Sequence, residues 1–351
     1  MTLQQRFPTL FNQPHSGQWL TEQESIRTPN TVAAYGFSLV DYFRFCEIQG
    51  IDPPSAERAA IAAYVQDLYV RSKSATRAMP GKRLGDVSST TDEGFAHATV
   101  RLRLATIRLY YEYLTEEKVR ATNPVKAGVH VRGKRFDKAR RGWVARHEKE
   151  PWLPDAKQWQ AILDAASSDS IRNRFMLALA YDAGLRRGEL CALQIGDIDP
   201  SEQVIRLRAI TTKTGRARQV PYSQATGELY TAYLKHRRSL NQAPGPLFLS
   251  ESRRNQGKPI TLWTWSKTVQ ALGKRAGLPL LTTHTLRHLR LTDLAKAKWE
   301  IFEIAAFAGH RNPAVTMMYV HLSGRELGER FRQTLDSMLD QRQEITKTPL
   351  L

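Results

Sequence analysis

The chain has few cysteines and no long apolar run, and both shortages narrow what it can be. Cys46 and Cys191 are the only cysteines among 351 residues. They are too few and too far apart for a disulfide framework, so two reduced thiols in apolar helical surroundings are expected. No stretch approaches the roughly 20 apolar residues of a membrane span, and residues 1–20 lack the apolar heart of a signal peptide. A cytoplasmic protein without a membrane partner is the expectation. Acidic residues are also scarce: 34 Asp and Glu face 52 Lys and Arg, for a net charge of +18 and a pI near 10. Such an excess favours a polyanionic partner, because each phosphate contact releases condensed counterions. A nucleotide-hydrolysing loop is missing too. Gly273-Lys274 is followed by Arg275, and Thr268 stands where the first glycine would be. No dinucleotide fingerprint, zinc-knuckle spacing or internal repeat occurs.

What is there reads as two domains, each long enough to bury a core. Residues 1–27 are polar with scattered Pro and Gly and read as an extended lead-in. Thr28-Pro29 is a good helix start, followed by Val32, Tyr35, Leu39, Tyr42, Phe43 and Cys46 at helical spacing. Ser55 is placed to cap a second helix, residues 72–93 read as a long loop, and a third helix carries Tyr110 and Tyr111. These aromatics read as core, and Asn123-Pro124 closes a helical domain over 28–125. Residues 126–150 form a basic linker, with nine Lys or Arg against Asp137, Glu148 and Glu150. Lys134, Arg135, Lys138, Arg140 and Arg141 are its candidate DNA contacts, the alternative being a merely solvated run. A second domain over 151–322 mixes helices with a strand near 204–208, a turn over 213–218 and a returning strand at Gln219-Val220. In the tail, 323–351, Leu327, Phe331, Leu335, Met338 and Leu339 make one apolar stripe. That stripe either folds back on its own domain or docks on a neighbouring copy.

Chemistry concentrates between residues 284 and 319. His284-Thr285-Leu286-Arg287-His288 is followed by Gly309-His310 and, nine residues on, Tyr319. His284 and His288 would share a helical face, yet the zinc hydrolase pattern needs a glutamate where Thr285 stands, so no metal site is expected. Phosphoryl transfer fits better. A guanidinium grips two phosphoryl oxygens, imidazoles donate to the rest, and a tyrosine oxygen can attack in line.

Upstream lie Gly184-Leu185-Arg186-Arg187-Gly188-Glu189-Leu190 and Lys213, the latter before Thr214-Gly215 and Arg218-Gln219-Val220-Pro221. In that order the motifs resemble the tyrosine recombinase (phage integrase) family, over roughly residues 28–345. The resemblance implies a mainly α fold with a small β-sheet. A helical, SAM-like core-binding domain and a mixed α/β catalytic domain would clamp DNA, without the extra arm-binding domain of some integrases. It implies that Tyr319 attacks a backbone phosphate to give a 3′-phosphotyrosyl link. Arg186, Arg287 and His310 would hold the phosphoryl oxygens, with Glu189 as support for Arg186. Lys213 would protonate the leaving oxygen, and His284 would assist as base toward Tyr319. No cofactor is implied, neither metal nor ATP, because the phosphotyrosyl bond conserves the diester energy. The implied partner is double-stranded DNA with specific recombination sites, on which the protein forms a tetramer, as integrases and transposases do. Ala308, Thr214 and Arg290 depart from the family pattern but remove no catalytic group. A type IB topoisomerase and a non-enzymatic DNA-binding regulator are the alternatives.

Overall fold

A computed structural model describes residues 1–71, 94–125 and 150–324. The basic linker with Lys134, Arg135, Lys138, Arg140 and Arg141, the loop at 72–93 and the apolar stripe of the tail lie outside the described residues. The chain divides into two units, residues 1–149 and 150–351.

The expected extended lead-in is instead helical. Residues before 28 form α1 (Leu3–Arg6), α2 (Pro8–Phe11) and α3 (Ser16–Ile26). The first two are one turn each, too short to show a 3.6-residue repeat in the sequence. Burial holds them in place: Phe7, Leu10, Trp19 and Leu20 are all at most 2% exposed. Each such side chain gains about 1.5–3 kcal/mol on leaving water. Phe7 meets Phe37 edge-on at 5.0 Å. Gly36 permits this packing, since a Cβ there would come within 2.6 Å of the Phe7 ring.

Next come α4 (Pro29–Ile48), α5 (Arg58–Val70) and α6 (His97–Glu116). Thr28 does sit at the N-cap of α4, but its hydroxyl meets that of Thr31 at 2.9 Å rather than a backbone N–H. Ser55 is not the cap of α5. Pro53–Ser55 form a 3-10 turn in which the Ser55 hydroxyl donates back to Asp52, and Glu57 takes the cap position. The core of this unit is aromatic, as the spacing indicates. Tyr42, Tyr64, Tyr110 and Tyr111 have no measurable exposure. Three of the four hydroxyls find partners, as most buried polar groups do: Tyr42 and Tyr111 share a 2.7 Å bond, and Tyr64 donates to Asp41 at 2.7 Å, while the Tyr110 hydroxyl is buried without one. Asp41 is neutralised by Arg71 and Arg103.

The second unit begins with α7 (Ala156–Ser167), started by a reciprocal cap between Asp155 and Gln158. Then follow α8 (Ile171–Asp182) and the short α9 (Arg187–Cys191). Strands β1 (Ile198–Asp199), β2 (Val204–Leu207) and β3 (Arg218–Pro221) form an antiparallel sheet in that order, with Arg206 opposite Gln219 and Leu207 opposite Arg218. Helices α10 (Gln224–Leu240), α11 (Leu262–Arg275), α12 (Thr283–Lys296), α13 (Ile301–Ala308) and α14 (Met317–Leu322) complete it. Ile205, Leu207 and Val220 of the sheet join Phe175, Trp265, Leu286, Leu291, Ile304 and Tyr319 in one core. Both cysteines are free thiols. Among the described residues no helix is long and apolar enough to cross a membrane.

Candidate active site

Three chain reversals aim the candidate residues at one point. Gly184, at φ +55°, turns the chain out of α8 and leaves Arg186 as the N-cap of α9. Thr282 and Thr285 cap each other at the start of α12, so His284, Arg287 and His288 fall on its first two turns. Gly309, at φ +63°, ends α13 and hands the chain to His310. A 3-10 turn at Pro313–Val315 then leads into α14, which carries Tyr319.

Arg287 lies at the centre, 3% exposed. Its guanidinium donates to the Gly184 carbonyl at 2.7 Å, to the Ala308 carbonyl at 2.6 Å and to His310 Nε2 at 3.0 Å. These bonds tie together the two glycine turns and the imidazole. Burial, and next the neighbouring Arg186 charge, lower its pKa to about 10, which still leaves it cationic at neutral pH.

Glu189 supports the arrangement from below, at 1% exposure. Its carboxylate accepts from the Arg186 backbone N–H and Nη1, both at 2.9 Å, and from Arg218 Nη1 and Nη2 at 3.0 and 2.9 Å. Burial alone would raise the carboxyl, but the Arg218 and Arg186 bonds and charges outweigh it and hold it below the usual range. Arg218 also donates through Nε to the Phe307 carbonyl at 2.9 Å. Gly309 packs directly on this guanidinium, and a Cβ there would lie 2.8 Å from Arg218 Nη1. Close approach and left-handed backbone therefore both require glycine.

Tyr319 is 2% exposed, between two imidazoles. The His310 ring lies nearly parallel to it, 11° apart with centroids at 6.2 Å. His288 Nδ1 is 3.0 Å from its hydroxyl. Burial raises the phenol, while the Arg287 and Arg186 charges pull it down without overcoming that effect, so the hydroxyl is protonated in the free protein. Arginine is always the donor, so the bond to Arg287 makes His310 Nε2 an acceptor and its Nδ1–H the donor to Thr316 Oγ1 at 2.9 Å. Burial and the Arg287 charge lower His310 to about 4, and burial with the His284 and Arg287 charges does the same for His288. Both rings are uncharged at neutral pH. His284 is lowered by its crowded surroundings and then by Arg287, Arg186, Arg187 and Lys213, although part of the residue reaches solvent.

The structure thus brings Arg186, Glu189, Arg287, His310 and Tyr319 together in one bonded cluster. His284 stands at its edge. Lys213 sits on an exposed turn that Thr212 closes by hydrogen bonds with Arg216, and its charge is felt at His284. His284, expected to assist Tyr319, is not the ring bonded to the hydroxyl; His288 is. Arg218 and Thr316 are further members of the cluster that sequence reasoning missed. Their partners are distant along the chain, and only an arginine opening a strand beside the lysine turn hinted at one. Arg290 lays its guanidinium over the Tyr181 ring at 5.5 Å, outside the cluster.

Residues 154–326 match the phage integrase family. The tyrosine recombinase XerC of Halalkalibacterium halodurans is 25% identical over 333 residues, spanning 90% of this chain and 96% of the relative. XerC of Pelotomaculum thermopropionicum is 28% identical over 253 residues, 69% of this chain and 76% of its own length. Among solved structures, the Tn1549 transposon integrase in complex with transposon right end DNA is similar with a TM-score of 0.62 and 18% identity, covering 89% of this chain and 98% of that one. The XerH site-specific recombinase bound to palindromic difH substrate gives 0.63 at 16% identity, covering 85% and 78%. At such identities the two structures speak for the fold alone.

Proposed function

We infer that this chain, a member of the phage integrase family of tyrosine recombinases, is a site-specific DNA recombinase that breaks and rejoins strands through a 3′-phosphotyrosyl intermediate. The observation that carries the reading is the cluster itself: a buried tyrosine hydroxyl beside Arg287 and His310, with Arg186 braced alongside. Beyond its bonds to Gly184, Ala308 and His310, the Arg287 guanidinium also acts on the Tyr319 oxygen, which sets the cation beside the atom that would attack.

In the proposed reaction the Tyr319 oxygen attacks phosphorus in line with the bond to the 5′-oxygen, which breaks as the new bond forms, and the phenolic proton passes to one of the uncharged imidazoles beside it. Negative charge grows on the non-bridging oxygens; Arg186 and Arg287 take it up, and His310 joins them once the phosphate replaces Arg287 as the partner of its Nε2 and that nitrogen gains a proton. One pre-aligned donor of this kind is commonly worth about 10²–10³ in rate. Lys213 protonates the departing 5′-oxygen. His284, surrounded by Arg287, Arg186, Arg187 and Lys213, acts with the phosphate-holding group. Glu189 is saturated by four N–H bonds, so its carboxylate serves to brace Arg186 and not to hold a metal ion. Charge compensation then falls to guanidinium and imidazole. The phosphotyrosyl bond keeps the diester energy, so rejoining needs no ATP.

The finer parts of this reading are that the partner is double-stranded DNA with paired specific sites and that the two units close on it with the basic linker between them. Four copies assemble there through their tails, and the protein works in the cytoplasm in integration or transposition. A non-enzymatic regulator would have no use for a buried hydroxyl among guanidiniums. The test uses DNA selected on the protein from a random-sequence pool. Two duplexes carrying the selected site, mixed with the protein in excess chelator and without nucleotide, should exchange strands. Relaxation of supercoiled plasmid without exchange would turn the reading toward a topoisomerase, and a strict magnesium requirement would overturn the metal-free mechanism.

A further inference from the structure

We propose that His288 is the residue that positions the nucleophile: its Nδ1 accepts the Tyr319 hydroxyl bond and aims that oxygen for attack. The inference rests on the reading of Tyr319 as the nucleophile, and it deepens it.

The geometry of α12 separates two histidines that the sequence presents as a pair. Their rings are 5.7 Å apart on one helical face. His284 lies at the first residues of the helix, where Arg186, Arg187 and Lys213 reach it electrostatically. His288 is one turn deeper, against α14, and its ring centroid is 5.7 Å from that of Tyr319. The first stands with the cations that would meet a phosphate, the second with the attacking oxygen.

The direction of the bond follows from protonation. Burial keeps the phenol protonated, so its O–H donates and His288 Nδ1 accepts, which puts the imidazole proton on Nε2. A charged imidazole would have no lone pair to offer. Burial and the nearby Arg287 and His284 keep the ring uncharged down to about pH 4, so the acceptor is present across the neutral range. On the opposite side the His310 ring lies parallel to the phenol. That contact limits ring tilt but not rotation of the hydroxyl. The His288 bond fixes the rotation, and so which lone pair faces the incoming phosphorus. Positioning of this sort acts on the attack step alone.

Variants of His288 separate this role from a structural one. Single-turnover cleavage of a nicked duplex carrying the selected site is the measurement. His288→Leu, which keeps bulk but offers no acceptor, should slow cleavage by about tenfold, the value of one hydrogen bond, while duplex affinity holds. His288→Asn puts an amide oxygen close to the position of Nδ1 and should recover cleavage to within about threefold of wild type. His288→Gln, whose oxygen lies one carbon farther out, should recover less, and this pair decides the matter even if the leucine variant folds poorly. A second substrate with sulfur in place of the bridging 5′-oxygen needs no proton on its leaving group. It should restore Lys213→Ala and leave His288→Leu slow. Equal loss in the Asn and Leu variants, or rescue of His288→Leu by sulfur, would overturn the proposal. A full rate in His288→Leu with Tyr319→Phe inactive would overturn this inference alone, and adduct formation by Tyr319→Phe would overturn the underlying reading instead.

Discussion

Replacing Arg218 by methionine tests whether the site is held up from its buried side. The Arg218 side chain is 9% exposed and its partner Glu189 is 1% exposed. Three bonds disappear together: two to the Glu189 carboxylate and one to the Phe307 carbonyl. Removing one partner of a buried pair typically costs about 3–5 kcal/mol, because the other charge stays buried without compensation. Arg186 remains beside Glu189, at 2.9 Å, so the lower end applies and about 3 kcal/mol is expected. Five of the seven tryptophans, Trp152, Trp159, Trp263, Trp265 and Trp299, belong to the second unit. Tryptophan fluorescence during guanidinium titration of the full chain therefore reads the right part of the molecule. Adding Glu189→Gln to Arg218→Met should restore part of the loss, since the uncompensated charge goes with it. Cleavage should fall in both variants, because Gly309 loses the guanidinium it packs on and Glu189, which braces Arg186, loses the partner that holds it. A loss under about 1 kcal/mol for Arg218→Met, with no coupling to Glu189→Gln, would refute the reasoning.

Two further outcomes follow from charge. His288 and His310 have folded pKa values near 4 against an ordinary 6.5, so the stability their uncharged rings contribute is complete above pH 6.5 and lost as pH falls toward 4. A bound phosphate opposes that lowering, so DNA binding should draw protons from solution within this window; calorimetry at about pH 5.5 in buffers of different ionisation heat measures the uptake, and none at all would contradict it. Neutralising Lys134, Arg135, Lys138, Arg140 and Arg141 should weaken binding to all sequences alike and shallow the slope of log affinity against log salt by about 0.9 for every phosphate that is no longer neutralised, whereas an unchanged slope would make the run a solvated linker.

The site's chemistry was far more legible in the sequence than its support. Arg287, His310 and Tyr319 stood out because phosphoryl transfer calls for side chains of those types close together, while the parts expected of Arg186, Lys213 and His284, and the order of the motifs, rested on the family resemblance. The fold class was legible for a related reason: helical spacing and the alternation near Val204 are local signals. Arg218 meets Glu189 from 29 residues away and His288 meets Tyr319 from 31, distances that no local pattern encodes. The role expected of His284 rested on the family resemblance. The hydroxyl lies one helical turn from it, beside a histidine that the sequence places but does not orient. The helices before Thr28 were hidden for another reason. The first two are too short to repeat, and Phe7 is fixed by a space left at Gly36, which is a tertiary fact.

The most direct measurement is to trap the protein on its DNA, digest both, and identify by mass spectrometry the amino acid that carries the nucleotide. Tyr319 as the nucleophile requires a 3′-phosphate ester on its oxygen, formed in excess chelator without nucleotide and absent from Tyr319→Phe. A nucleotide on any other residue, or an adduct that persists in Tyr319→Phe, would contradict it.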